Sequence, residues 1–148
     1  MPLVLAQNEQ SAAAVTYDDR LGTSYEFPKK YQKLVRPGEP FVYYRGKRSA
    51  AGATQLPHYF GTGVIGAVTP TEDGRLRCTI TNYRPFQQIV PLKKDGRYLE
   101  PGANGRPPKE VGLHFRTGVR IIDERSFRTI LVAAGLDHGS SKQAAVII

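Results

Sequence analysis

The chain has 148 residues and a formal net charge of +8, with 21 Lys and Arg residues against 13 Asp and Glu residues. This length favours one domain with a hydrophobic core, and the charge favours a polyanionic partner such as nucleic acid. The single cysteine, Cys78, excludes an internal disulfide framework and a multi-cysteine zinc site, which favours a reducing, cytoplasmic location.

The N-terminal part of the chain is predicted to carry little regular structure. Residues 1–16 are mostly small and polar after a brief apolar start, and we interpret them as an arm or a leading edge strand. They lack the pattern of a signal peptide, and no apolar run approaches the ~20 residues that span a bilayer, so we expect no membrane partner. Pro28 suits the first position of a helix, which predicts a short helix over 28–35.

Two segments in the middle of the chain are predicted strands. In 41–45, alternation places Tyr43 and Tyr44 on opposite sides, so one tyrosine faces away from the main core unless both faces are covered. In 59–68, strict alternation places Phe60 on one face and Ile65 on the other, and the alternating glycines indicate curvature or close approach of other atoms.

The second half of the chain alternates between extended segments and turns. A hairpin-type turn at 71–74 leads into a strand over 75–83, which we expect Pro85 to break before a further short extended piece at 88–92. The segment 93–112 is rich in Gly, Pro and charge and is interpreted as a long surface loop, partly disordered. Cys78 is expected to be a small buried side chain.

The C-terminal part predicts a strand followed by a helix. The strand is expected over 118–122, and Asp123 is a plausible N-cap for a helix over 124–134 that Gly135 ends. Residues 136–148 are interpreted as a tail or the start of a linker. The main domain is therefore expected to span 17–135.

Several of these features together resemble a known family. In chain order they are Tyr17-Asp18-Asp19, Gly22, Tyr25-x-Phe27-Pro28-x-x-Tyr31, Val42-Tyr43-Tyr44 with Lys47-Arg48, Tyr59-Phe60, the segment from Tyr83 to Pro91, and Val119-Arg120-x-Ile122. This order resembles the N-terminal domain of HNH-type modification-dependent restriction endonucleases, which is related to the EVE, YTH and SRA readers of the PUA-like superfamily.

The resemblance implies an α+β fold, a small curved β-barrel flanked by short helices. It also implies a non-catalytic domain that binds double-stranded DNA and reads a modified base flipped out of the duplex, most simply 5-methyl- or 5-hydroxymethylcytosine. No HNH nuclease region is present, and His58, His114 and His138 are scattered, so a fused or partner HNH nuclease would supply cleavage in a restriction system. An RNA-binding PUA-like module and a reader of N6-methyladenine remain alternatives.

A flipped base needs stacking partners and polar groups that read its edge. The candidate rings are those of Tyr25, Phe27, Tyr31, Tyr43, Tyr44 and Tyr59. Most of these rings could instead belong to the core, Phe27 above all. Asp18 and Asp19 could accept from a cytosine amino group, or they could cap the following turn.

Basic side chains near these rings are candidate phosphate contacts. They are Lys29, Lys30, Lys33, Arg45, Lys47 and Arg48, and the alternative is that they form an ordinary solvated face. No spacing of catalytic or metal-binding residues stands out, so we expect no catalytic centre, metal or cofactor.

Overall fold

The computed structural model describes residues 1–7, 21–46 and 56–136, and Asp18, Asp19, Lys47 and Arg48 lie outside these residues. Within the described residues, six strands form one sheet in the order β2-β5-β4-β3-β1-β8, and a separate hairpin pairs β6 with β7. The strands are β1 (Leu3–Ala6), β2 (Ser24–Phe27), β3 (Pro40–Arg45), β4 (His58–Pro70), β5 (Leu76–Pro91), β6 (Lys93–Lys94), β7 (Arg97–Tyr98) and β8 (Val119–Ile121). The helices are α1 (Pro108–Arg116) and α2 (Glu124–Ala133), with 3₁₀ turns at Lys29–Tyr31 and Pro101–Ala103.

The sheet curls because hydrogen bonds join its two sides across the interior. The hydroxyl of Tyr25, on β2, donates to the carbonyl of Ala6 on β1 over 2.8 Å. The hydroxyl of Tyr31 accepts from the backbone N–H of Gly118, at the start of β8, over 3.2 Å. Since β2 and β8 are the outermost strands, these bonds bring opposite edges together.

The inner face of the curl holds one hydrophobic core and the outer face holds another. The inner-face core consists of Leu3, Leu5, Tyr25, Phe27, Val35, Phe41, Tyr43, Ile65, Leu76, Cys78, Ile80 and Val119. The outer-face core includes Val4, Val42, Tyr44, Tyr59, Val90 and Ile122, and α2 covers it with Phe127, Ile130, Leu131 and Ala134. Because both faces are covered, Tyr43 and Tyr44 are both buried, and the predicted burial of Cys78 is confirmed.

The predicted C-terminal helix is confirmed with its caps. Asp123 accepts a hydrogen bond from the backbone N–H of Ser126 over 3.2 Å, as an N-cap residue does. Gly135 has φ of +87°, the left-handed conformation that ends helices. The helix is therefore found at the position that its sequence pattern predicted.

The N-terminal residues contribute an interior strand to the sheet. β1 lies between β3 and β8, parallel to β3 and antiparallel to β8, so it is neither an arm nor an edge strand. Leu3 and Leu5 enter the inner-face core while Val4 enters the outer-face core. A strand that is apolar on both faces shows no alternation of apolar and polar residues. A run of four apolar residues is also too short to be recognised as such a strand from the sequence.

Strict alternation along β4 proved wrong. The pairing of β4 with β5 shifts register at three places, between Tyr59 and Gly61, Thr62 and Val64, and Ile65 and Val68. Each shift can move later side chains to the other face. As a result Phe60 and Ile65, predicted on opposite faces, both pack in the inner-face core.

Three predicted element boundaries were also wrong. β5 continues through Pro85 because β2 pairs only with residues 76–79, which leaves the rest of β5 with a free edge where proline costs little. The predicted helix over 28–35 shortens to the 3₁₀ turn Lys29–Tyr31, because so short a segment depends on tertiary contacts. The expected loop 93–112 instead contains the β6–β7 hairpin, a 3₁₀ turn and the start of α1.

The β4 glycines allow side chains to approach closely. A Cβ at Gly63 would lie 2.9 Å from the Phe41 ring and 3.1 Å from Ile80, whereas a Cβ at Gly112 in α1 would meet nothing within 4 Å. We expect Gly63→Ala to destabilise the fold by ~1–3 kcal/mol through overpacking. We expect Gly112→Ala to be neutral or to stabilise it by up to ~1 kcal/mol through helix propensity.

Chemical denaturation of the two variants beside the wild type measures both effects. Equal free energies of unfolding for Gly63→Ala and the wild type would contradict the packing described for β4.

Candidate nucleic-acid interface

Three of the predicted pocket rings fill the inner-face core. Tyr25, Phe27 and Tyr43 are each at most 5% exposed. Tyr25 donates to Ala6, and the hydroxyl of Tyr43 accepts from the backbone N–H of Gly22 over 3.1 Å. These rings therefore hold the curl together.

Tyr31 is half-buried beside the inner-face core, and its ring lies 5.2 Å from the ammonium of Lys30. Tyr59 is fully buried on the outer face and donates to Glu100 Oε2 over 2.5 Å. Among the rings predicted for the base pocket, that of Tyr44 belongs to a residue that lines a cavity.

The cavity lies on the outer face between the sheet and α1 and has a volume of about 600 Å³. Its residues come from the end of the sheet, the β6–β7 hairpin and α1. They are Ala6, Tyr44, Gly46, Pro57, Leu92, Tyr98, Pro108, Val111, Gly112, Phe115 and Arg116. The volume falls within the ~300–1,000 Å³ of small-molecule sites, and the lining combines apolar and aromatic groups with one cation.

Aromatic rings form the wall of this cavity. The ring centroids of Tyr44 and Phe115 are 5.7 Å apart in a stacked arrangement, and those of Tyr98 and Phe115 are 5.5 Å apart. Tyr98 and Phe115 are half-buried, so each ring keeps exposed surface. Such rings can stack on a flat heterocycle.

A buried ion pair supports the aromatic wall. Arg120 and Glu100 are 5% and 2% exposed, and they form a bidentate pair, Nε to Oε1 over 2.7 Å and Nη2 to Oε2 over 2.9 Å. The Arg120 guanidinium also lies 4.7 Å from the Tyr44 ring centroid and 5.0 Å from that of Phe115. Since Arg120 Nη1 donates to the carbonyl of Thr117 over 2.8 Å, one side chain fixes both rings and the end of α1.

The Glu100 carboxylate collects donors from several elements. Tyr59 Oη donates to Oε2, and His114 Nε2 lies 3.0 Å from Oε1. Burial alone would raise the pKa of Glu100, but the hydrogen bonds with His114 and Arg120 and the charge of Arg120 outweigh it and lower the pKa to about 2. Burial and the neighbouring Glu100 carboxylate raise the pKa of Tyr59, so its hydroxyl stays protonated.

The predicted phosphate contacts are divided between two places. Lys29, Lys30 and Lys33 are exposed on the segment that Tyr31 ties to Gly118, just past the end of α1. Arg45 is half-buried at the end of β3 with its guanidinium 4.3 Å from the Phe60 ring centroid, on the other face from the cavity. Lys47, Arg48, Asp18 and Asp19 lie outside the described residues.

Sequence reasoning missed most of the cavity wall. Leu92, Tyr98, Phe115 and Arg116 fall in or beside the segment interpreted as a loop. The available signal was Pro108 followed by Val111 and Phe115, a proline at a helix start followed by apolar residues four apart. Within the described residues, no group of His, Cys, Asp and Glu side chains could hold a metal ion, and no helix could cross a membrane.

Comparison with solved structures identifies the fold. The N-terminal domain of Staphylothermus marinus McrB superposes with a TM-score of 0.52 and 10% identity, over 87% of this chain and 92% of that chain. Rpa0253 from Rhodopseudomonas palustris superposes with a TM-score of 0.54 and 13% identity, over 91% of this chain and 93% of that chain. These likenesses show the fold, a small curved α+β barrel.

This confirms the fold class expected from the sequence resemblance. At these identities the likeness concerns the fold and leaves the site to be argued from its residues. No protein-family model matches the chain, and no curated protein sequence matches it. On this curved barrel, the cavity beside Tyr44 is formed by the segment 92–116 together with the end of the sheet.

The buried pair predicts a pH dependence of stability. The pKa of Glu100 in the folded chain, about 2, lies below the ordinary value of 4.5. Ionised Glu100 therefore stabilises the fold above the ordinary pKa, and this stabilisation is lost as the pH falls toward the folded-state pKa. We expect the wild type to lose ~3 kcal/mol more than Glu100→Gln between about pH 5 and pH 2, because the amide does not titrate.

Urea denaturation at a series of pH values measures this difference. Glu110→Gln, at an exposed position of α1, serves as the control and should follow the wild-type curve. Parallel pH curves for wild type and Glu100→Gln would contradict the role given to the pair.

Proposed function

We propose that the chain is a non-catalytic reader of modified DNA that holds a base, flipped out of a duplex, in the cavity beside Tyr98 and Phe115. The observation that carries this proposal is a cavity of about 600 Å³ with half-buried aromatic rings in its wall, on a strongly basic chain. Base flipping costs a few kcal/mol of unstacking, and stacking on an aromatic side chain returns ~1–3 kcal/mol per base.

The surroundings of the cavity also suit a nucleotide. Arg116 lies at its wall, and Lys29, Lys30 and Lys33 lie on the segment bonded to Gly118, two residues further along the chain. Gly46 and Pro57 line the cavity and flank residues 47–56 in the sequence, so we propose Lys47 and Arg48 as further phosphate contacts.

The proposed base is a 5-substituted cytosine, 5-methyl- or 5-hydroxymethylcytosine. A small substituent gains contact with apolar groups, and Leu92, Pro108 and Val111 supply such a surface in the cavity. We propose that the domain serves as the specificity module of a modification-dependent restriction system, in which a fused or partner HNH nuclease supplies cleavage. The resemblance of the sequence to the N-terminal domain of HNH-type modification-dependent restriction endonucleases supports this role, and the likeness in fold to the N-terminal domain of McrB agrees with the curved barrel that this resemblance implies.

Binding to matched nucleic acids tests the proposal. We expect a duplex with 5-methyl- or 5-hydroxymethylcytosine to bind about tenfold to two-hundredfold more tightly than the plain duplex, the range that one small group provides. The affinity should fall with salt, with a log-log slope of about 0.9 per phosphate neutralised. Duplexes with N6-methyladenine and RNA of the same sequence serve as comparisons.

If the chain binds the N6-methyladenine duplex or the RNA more tightly than the duplex with modified cytosine, that nucleic acid replaces the proposed ligand. Equal affinity for modified and plain duplexes would refute the reader function.

A substitution in the cavity wall should separate base reading from phosphate binding. We expect Tyr98→Ala to remove most of the preference for the modified duplex while low-salt binding to plain DNA persists, because the ring stacks and the lysines hold phosphates. Tyr83→Ala is the matched control, since Tyr83 is also half-buried but packs against the inner-face core outside the cavity.

Circular dichroism first shows that each variant is folded. Fluorescence anisotropy then measures the preference of each variant for the modified duplex over the plain duplex. The cavity is not the base site if the two variants keep the same preference.

A further inference from the structure

The β6–β7 hairpin places two cations directly opposite each other. Lys94 pairs with Arg97 in the register, and both side chains are exposed. Like charges directly opposite on paired strands are destabilising. Neither side chain forms an ion pair with a carboxylate in the described part of the chain, although Asp95 lies in the turn between them. The described residues thus leave this repulsion uncompensated.

The rest of the hairpin is held firmly. Asp95 and Gly96 both have positive φ, 53° and 80°, the conformation of the tight two-residue turn that suits paired strands. Leu99 N donates to Leu92 O over 2.8 Å. Asn104 accepts from Tyr98 N over 2.9 Å and donates to Tyr98 O over 3.1 Å. These bonds keep the two cations opposite each other.

The hairpin lies at the edge of the cavity. Leu92 and Tyr98, at its two ends, both line the cavity, and the Lys93 ammonium lies 4.7 Å from the Tyr98 ring centroid. In the register, the Lys94–Arg97 pair directly follows the Lys93–Tyr98 pair, so a group bound between Lys94 and Arg97 would lie one residue pair beyond the cavity wall.

Several cations elsewhere in the described chain have carboxylate partners. Arg77 pairs with Glu26, and Arg75 lies between Glu26 and Asp73. Arg128 pairs with Glu124 one helical turn away. The hairpin differs from these places in that two neighbouring cations share no carboxylate, which is the arrangement that a bound anion would complete.

We propose that Lys94 and Arg97 clasp a backbone phosphate of duplex DNA next to the nucleotide whose base enters the cavity. The clasp rests on the proposed reader function and adds a contact that lies outside the basic cluster between Lys29 and Arg48. An arginine fork and a lysine ammonium together suit one phosphate, since the first gives two directed hydrogen bonds and the second a mobile charge. The phosphate also removes the repulsion between the two cations.

The test compares two charge reversals that alter the net charge equally. Lys94→Glu faces Arg97 and replaces repulsion with attraction, so its melting temperature should equal or exceed that of the wild type. Arg125→Glu is the control, because Arg125 is exposed in the first turn of α2, where an acidic residue suits the helix, and it does not line the cavity.

We expect Lys94→Glu to weaken binding to the modified duplex about tenfold or more, the effect of losing a charge-assisted contact. The log-log salt slope should fall by about 0.9 for the one phosphate lost. Arg125→Glu should change the affinity by less than about twofold in 0.15 M salt, where charges further than ~8 Å apart are screened. The ratio of modified to plain affinity should stay the same in both variants.

The outcomes separate this inference from the function on which it rests. If the wild type prefers the modified duplex but the two variants bind it equally, the clasp is wrong and the reader function stands. If the wild type shows no preference, the reader function fails. If Lys94→Glu leaves DNA binding intact but weakens binding to phosphatidylserine vesicles, the hairpin serves a lipid surface and the clasp is wrong. Should Lys94→Glu fold poorly, Lys94→Gln tests the same contact.

Discussion

The ion pair between Glu100 and Arg120 joins the elements on which the cavity depends. Glu100 precedes the 3₁₀ turn at Pro101–Ala103, Arg120 lies on β8, and Tyr59 and His114 bring β4 and α1 to the same carboxylate. A buried charge is costly unless it is paired and hydrogen-bonded, so these donors must stay together. The requirement holds the segment 92–116 against the sheet, although α1 buries no residue of its own.

Five tyrosines of the described residues have one of two roles, according to the face they occupy. Tyr25, Tyr31 and Tyr43 use their hydroxyl groups to bond backbone atoms and so close the curl. Tyr44 and Tyr98 lie at the cavity on the outer face. A tyrosine offers an apolar ring and a polar end in either setting, so residue type alone does not distinguish a structural ring from one that contacts a ligand.

The positively charged side chains also differ in whether a carboxylate lies beside them. On the β2–β5 side, Glu26 and Asp73 compensate Arg75 and Arg77. Around the cavity, Arg116 and the hairpin cations have no carboxylate partner among the described residues. An electrostatic surface beside an aromatic cavity gives a nucleic acid both a general attraction and a place for one base.

Local sequence patterns were sufficient to predict the elements that depend on residues close to one another in the sequence. The strand with Tyr43 and Tyr44, the turn at 71–74, and the helix between Asp123 and Gly135 follow from alternation, turn residues and caps, which act over a few positions. The family resemblance also predicted the curved barrel. Only the tertiary structure placed β1 inside the sheet, moved the β4 side chains through three register shifts and ordered 93–116 around Glu100. These features depend on partners ten or more residues away, such as Arg120 for Glu100 and Phe41 for Leu3, and no local pattern in the sequence identifies such partners.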